Sequence, residues 1–566
     1  MKRSYLPVEF KITTWESLKP FFEELVSRKI DSSEELYTWY LNRSELESAV
    51  SEDMGWRYIK MTCDTTNEEI KDAFNYFVSE IQPAIAPFSN QLDTKALEDP
   101  FLSELTGKEG FDIVIKLLQK DKQIYREENI PLFSEIEQMA HQFGGISAAM
   151  TVIIDDKELT LQQASDFLLL KDRSRREEAW RKINERRYQE KDKLNDLYSN
   201  LIKLRHQAAQ NAGYSNFRDY MFDAMGRFDY SPSDCFAFHE AIKEEVVPIL
   251  NQFAEERKKA LGVDVLKPWD LSINYFGDTP LKPFENSDNL IQKTIHCFSE
   301  LDSYSAQCIQ VMKEIGHLDL MSRKGKAPGG YNYPLDETGI PFIFMNATQS
   351  LRDLVTMVHE GGHALHSFLC ADMELNVFKH PTSEVAELAS MSMELMSMEH
   401  WDVFFQDSKD LNRAKREHLE SVLQTLPWVA TIDLFQHKIY ERPQHTLEER
   451  EMIWKESFFP FSNNVTDWKS FEQYRLTAWQ KQLHVFEVPF YYIEYGMAQL
   501  GAIAVWRNYK QNPELGYSQY KKALSLGYKK SIPEVYKAAG IRFDFSKEYI
   551  RELMLFIKDE LNSLLL

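Results

Sequence analysis

The sequence predicts a mainly α-helical protein with a small β element beside a histidine-bearing helix. Three observations carry that prediction. Glycine and proline interrupt the chain rarely, with 21 of each in 566 residues. Long segments such as "RSRREEAWRKINERRYQEKDKLNDLYSNLIKLRHQAAQ" (173–210) combine strong helix formers with apolar residues three and four apart. One stretch, 324–350, breaks the helical pattern with dense Gly and Pro, and within it "PFIFMN" (341–346) reads as a strand.

The elements follow in order. Residues 1–110 alternate helical patterns with short loops, and "IQPAIAPF" (81–88) is expected to break any continuous helix. Residues 111–190 form a second helical unit; "GGISAAMTVIIDDKELTLQQASDFLL" (144–169) is expected to hold a short β-hairpin with "DDKE" as its turn, then a helix. Residues 191–566 read as helical again around the 324–350 interruption. A chain of 566 residues exceeds what one core organises, so two or three domains or lobes are expected.

Composition excludes several partners. With 43% hydrophobic and 27% charged residues the chain reads as soluble and globular. A formal charge of −22 argues against nucleic acid and anionic membranes, since a phosphate surface would repel it. The five cysteines are scattered and lack CxxC spacing, which argues against a disulfide framework and a thiolate zinc site and suits a reducing cytosol. The N-terminal "MKRSYLPVEFKITTW" lacks the apolar core of a signal peptide. "YGMAQLGAIAVW" (495–506) is too short to span a membrane.

The chemistry concentrates in "SLRDLVTMVHEGGHALHSFLC" (350–370). Leu351, Leu354, Val355, Val358, Leu365, Phe368 and Leu369 fall largely on one helical stripe, and Ser350 with Asp353 resembles a capping box. His359 and His363 are one turn apart and can share one metal ion. Glu360, about 100° around the helix, is unsuited as a third ligand but suited to deprotonate a water on that metal. Gly361 and Gly362 each cost about 1 kcal/mol in a helix relative to Ala. They make sense where another backbone or a substrate comes close. His366 lies about 10 Å along the axis from His359, so a packing role or an outer role around the metal suits it better than ligation.

The third ligand is expected on the next helix, "SEVAELASMSMELMSMEH" (383–400), with Ser383 as N-cap. Glu384, Glu387 and Glu394 share one face among many apolar residues, and a buried carboxylate needs a partner. Glu387, 24 residues beyond His363, is the expected ligand to one zinc ion per chain. Glu384 and Glu394 are candidates to accept the free imidazole N–H groups.

At this point the residues resemble a family. "HEGGHALH" followed by "SEVAELASMSMELM" is similar to the thimet oligopeptidase-like zinc metallopeptidases, in their oligoendopeptidase F and Pz-peptidase branch. "NAGYSNFRDYMFDAMGRFDYSP" (211–232), "LKPWDL" (266–271), "GKAPGGYNYP" (325–334), "FIFMN" (342–346), "VFEVPFYYIEYG" (485–496) and "LGYKKSIPEVYKAAGI" (526–541) look like that branch in the same order. The resemblance implies a two-lobed helical metallopeptidase with zinc deep in a central channel, cutting internal bonds of short oligopeptides. It also implies His359, His363 and Glu387 as zinc ligands.

Peptide hydrolysis passes through an oxyanion that needs donors aimed at it. A family tyrosine with this role most closely matches Tyr495, and a family histidine resembles His484. The family's glycine-rich substrate loop is shorter here, so Tyr492 can share the role, and Tyr491 and Tyr492 are candidate substrate contacts. In "APGGY" (327–331), Gly329 and Gly330 permit close backbone approach and Tyr331 is a candidate peptide contact. "FIFMN" is expected to offer an open edge to an extended peptide. Two other readings stay open: a zinc carboxypeptidase or dipeptidyl carboxypeptidase, which needs a cation such as Arg475 for the substrate's free carboxylate, and a non-enzymatic peptide-binding protein.

Overall fold

The computed structural model describes residues 3–277 and 280–564, and most of these are helical. The elements that matter below run in chain order as α1 (Ser33–Cys63), the hairpin β1 (Thr151–Ile154) and β2 (Lys157–Thr160), α2 (Pro232–Glu245), the strands β3 (Leu318–Met321), β4 (Tyr331–Tyr333) and β5 (Phe342–Ala347), then α3 (Leu351–Cys370), α4 (Ser383–Ser397), α5 (Ser408–Glu441) and α6 (Tyr492–Gln511). Among the described residues no helix is long and apolar enough to cross a membrane.

The chain divides into two compact units, each assembled from three separate stretches. The first comprises Met1–Tyr125, Leu281–Ala414 and Ala498–Phe543; the second comprises Arg126–Pro280, Lys415–Met497 and Asp544–Leu566.

In the first unit, α1 starts at Ser32, whose side chain accepts the Glu35 amide. Its Leu36, Trp39 and Leu46 join Leu18, Phe22 and Phe111 in a core that removes their apolar surface from water. The expected break at 81–88 does not occur. A π-helical turn, Phe77–Ile81, leads directly into a helix at Gln82–Glu98. Pro83 falls in the first turn of that helix, directly after the π-helical turn. Pro87 is carried inside the same helix, whose Leu92 and Ala96 are buried.

The sheet of this unit has the order β3-β5-β4. β3 pairs with β5 in parallel, Leu318 opposite Ile343; β4 pairs antiparallel, Tyr331 opposite Phe344. "FIFMN" is therefore the central strand. The open-edge expectation fails for it, because both of its rows of backbone groups are already paired, and β4 forms a rim instead. β5 leads through Ala347 to the Ser350 cap, where Ser350 and Asp353 bond reciprocally and start α3.

In the second unit, the expected hairpin occurs with a tighter turn. Asp155 and Asp156 both adopt left-handed backbone, φ 53° and 58°, while Lys157 and Glu158 already lie in β2. Two such residues match the right-handed twist of the strands. Val152 and Ile154 of β1 pack on Ala164, Ala179 and Ile183. Nearby, the fully buried Asp270 is held by Arg176 at 2.8 Å and Arg173 at 2.7 Å.

Candidate metal centre

Helices α3 and α4 run antiparallel in the first unit, with His359 beside Glu394 and His363 beside Glu387. Gly362 makes the approach possible. A Cβ there would lie 2.7 Å from Ser390 Cα and 2.8 Å from the Ala389 carbonyl oxygen. Gly361 similarly accommodates the Phe298 ring. The helix-breaking cost of both glycines is thus offset by close packing, against backbone at Gly362 and against an aromatic ring at Gly361.

Three donor atoms converge. Glu387 Oε2 lies 3.4 Å from His359 Nε2 and 3.7 Å from His363 Nε2. An ion about 2.0–2.2 Å from each ligand separates tetrahedral donors by roughly 3.3–3.6 Å, so the spacing suits zinc. The outer contacts leave both Nε2 atoms turned to this point. His359 Nδ1 bonds Glu394 Oε1 at 2.5 Å, and His363 bonds the Ala386 backbone carbonyl. Ser390, on the same helical face as Glu387, donates to Glu387 Oε2 at 3.1 Å. Glu384 is buried in the first turn of α4. That helix begins one residue earlier than expected, with Thr382 as N-cap and Ser383 inside.

The electrostatics suit a cation. Burial opposes charge on His359, but Glu394, Glu387 and Glu360 together raise it to about 10. Burial, then His359 and His366, holds His363 well below the usual histidine range. The carboxylates that favour positive charge on His359 would equally favour a dication at that place, which would leave both imidazoles neutral. His366, held near 4 by burial, hydrogen-bonds the Leu524 backbone and is not among the three converging donors.

Glu360 is 6% exposed, and burial raises it to about 7 against the pull of His359. The 327–331 loop lies over it. Asn332 Nδ2 donates to the Glu360 backbone carbonyl at 3.4 Å, and a Cβ on Gly330 would come 4.0 Å from Glu360 Oε1. Gly329 has φ +102° with open space around it. Tyr331 is committed to the wall: its ring stacks on Phe344 and its hydroxyl bonds Thr62 Oγ1 at 2.6 Å.

The other expected residues cluster in the second unit. The His484 ring lies 4.8 Å from that of Tyr492, 5.8 Å from Tyr495 and 6.0 Å from Tyr491. Tyr492 opens α6, and Tyr491 precedes it in a turn after Phe490, whose φ is 67°. A relay missed by sequence reasoning fixes the imidazole. Trp428 Nε1 donates to Gln482 Oε1 at 2.8 Å, so Gln482 Nε2 donates to His484 Nδ1 at 2.7 Å. His484 Nε2 then carries the proton. Burial lowers His484 to about 4, so the ring stays a neutral donor. Arg227 pairs with buried Glu494 at 2.9 Å and braces the start of α6.

The family "Peptidase family M3" matches residues 167–555, and "Peptidase M3 N-terminal domain" matches 5–138. An oligoendopeptidase F homolog of Borreliella burgdorferi is 22% identical over 528 residues, covering 88% of this chain and 86% of its own. A solved structure of Pz peptidase A with an inhibitor superposes with a TM-score of 0.91 at 26% identity, covering 98% of this chain and 99% of that one. The fold is also that of oligoendopeptidase F from Enterococcus faecium, with a TM-score of 0.66 at 16% identity over 97% of each chain. A family match over well more than half of the residues, joined to these likenesses, means that this chain belongs to peptidase family M3 and is a metallopeptidase of its oligoendopeptidase F branch.

Proposed function

We propose that the chain is a zinc-dependent endopeptidase that cuts internal bonds of short, unstructured oligopeptides in a reducing cytosol. The observation that carries this reading is the convergence of His359 Nε2, His363 Nε2 and Glu387 Oε2, with buried Glu360 on the next position of the same helix. Two imidazoles and a carboxylate form the donor set of many zinc hydrolases. A bound dication there polarises a carbonyl and lowers the pKa of water.

The chain's own groups do the rest. Glu360, raised to about 7, is tuned to take a proton from the attacking water and return it to the leaving amine nitrogen. Gly330 keeps side-chain bulk away from that carboxylate. The rim strand β4 can align an extended peptide through backbone hydrogen bonds, which read no side chain. Tyr495, with neutral His484 and Tyr492 beside it, supplies donors for the oxyanion; this assignment rests on the chemistry of their own cluster and on the family likeness. None of the five cysteines is held in a disulfide, which supports the reducing location. The relatives' names favour internal cleavage over carboxypeptidase action. Arg475, a candidate carboxylate anchor for the latter, lies 3.7 Å over the Phe459 ring.

An end-blocked, internally quenched peptide tests the reading. Wild type should cleave it, chelator should stop cleavage and zinc should restore it. Glu360→Gln should keep stoichiometric zinc and lose at least about 100-fold in turnover. Wild-type turnover in that variant, or cleavage only of peptides with a free C-terminus, would overturn the proposal.

A further inference from the structure

The second unit holds another cluster of metal-ligating side chains, remote in sequence from the HEGGH helix and unused by the proposed mechanism. Cys235 and His239 lie one turn apart on α2; Asp433 and His437 lie one turn apart on α5. Cys235 Sγ, an Asp433 carboxylate oxygen and a His437 ring nitrogen all fall within 4.8 Å of one another. Cys235, Asp433 and His437 are 0% exposed, and His239 is 2% exposed.

The hydrogen-bond accounting is what points to a ligand. Buried polar groups ordinarily find partners, and leaving them without is costly. Here both ring nitrogens of His437, Asp433 Oδ1 and His239 Nδ1 are buried with no hydrogen-bond partner. His437 Nε2 is only 3.2 Å from Asp433 Oδ2, yet the two are not aligned as donor and acceptor. A shared proton must lie near the line joining its two atoms. A metal ion sits off that line, at the centre of its ligands, and tetrahedral donors at about 2.0 Å from zinc are roughly 3.3 Å apart. His239 Nε2 meanwhile bonds Asp433 Oδ2 at 2.8 Å, the outer contact that orients a ligating carboxylate. The rings of Phe236 and Phe490, 4.9 and 5.4 Å from that of His437, make the surroundings apolar.

We infer that Cys235, Asp433 and His437 bind a second divalent transition metal, of the zinc type, as a structural cross-link between α2 and α5. One thiolate and one carboxylate neutralise a dication, so the filled cluster carries no net charge into its apolar surroundings. Binding forms a metal–sulfur bond and releases the Cys235 thiol proton to solvent. The sequence expectation against a thiolate site rested on CxxC spacing; here the partners Asp433 and His437 come from another helix, far along the chain from Cys235.

The test uses the full-length His359→Ala/His363→Ala double variant, stripped with chelator and titrated with cobalt(II). The expected result is one cobalt per chain with a near-ultraviolet thiolate-to-cobalt charge-transfer band, which a site of imidazoles and carboxylate alone cannot give. Adding Cys235→Ser should abolish the band and weaken binding more than about 100-fold, beyond the usual cost of losing an outer contact. Cobalt should also raise the melting temperature of the double variant. If Cys235→Ser fails to fold, X-ray absorption at the cobalt edge of the double variant must show one sulfur ligand. No stoichiometric cobalt in a double variant with native circular dichroism overturns the proposal and leaves an internal water as the partner. So does a band that survives Cys235→Ser, or an edge spectrum without sulfur.

Discussion

The two histidine–acid clusters of this molecule are built alike and read very differently. Each places side chains one turn apart on one helix opposite an acid on another. In the HEGGH cluster the partners His359 and Glu394 are 35 residues apart; in the other, His239 and Asp433 are 194 apart. The first is therefore visible as a pattern in consecutive helices. The second exists only once the chain has folded. The difference teaches that spacing motifs report the sequence separation of ligands, not the quality of a site.

Variants that act on one cluster and spare the other sharpen this comparison. The largest effect is expected from Glu387→Ala. Losing a metal that supplies several kcal/mol should lower turnover by at least about 1000-fold. Metal analysis should show the first cluster empty and the Cys235 cluster still filled; zinc retained at His359 would place the third ligand elsewhere.

Tyr495→Phe comes next, since loss of an oxyanion donor costs about 100–1000-fold in kcat. Both metals and KM should be largely unchanged, and a change confined to KM would assign Tyr495 to substrate binding instead.

A smaller effect belongs to the outer contacts. Glu394→Gln should weaken metal binding about 10–100-fold at His359 alone, and His239→Gln should do the same at Cys235 alone. Competitive chelator titrations can read both, and a single variant that loosened both ions would break the picture of independent sites.

The smallest effect concerns stability. At Gly362→Ala the new Cβ meets the backbone at Ser390 and Ala389, which cannot rotate away. Overpacking of about 1–3 kcal/mol should exceed the roughly 1 kcal/mol gained in helix propensity. The melting temperature should fall and zinc affinity with it, and an unchanged melting curve would mean that α3 and α4 can separate freely.

Much of the HEGGH cluster was legible because helix period alone brings His359, Glu360 and His363 together and puts Glu387 and Glu394 on one face. Strands were less so. "PFIFMN" announces a strand, but whether it lies at a rim or in the middle depends on Leu318–Met321 and Tyr331–Tyr333, which carry weak signals of their own. Pro83 and Pro87 looked like breakers because a proline's local preference is visible, whereas the π-helical turn that leads into their helix is not. The Trp428–Gln482–His484 relay escaped notice for a similar reason: a glutamine beside a histidine has no meaning until a distant indole sets its orientation.

By itself, then, the sequence determined the helical class, the histidine pair with its neighbouring carboxylate, and the acidic face of the following helix, since all of these depend on spacings within one or two turns. Tertiary structure alone decided which glycine touches which backbone, which strand is central, which tautomer His484 holds and that Cys235 meets His437. Those outcomes depend on contacts between segments far apart in the chain, where packing and the need to satisfy buried polar groups outweigh any local preference.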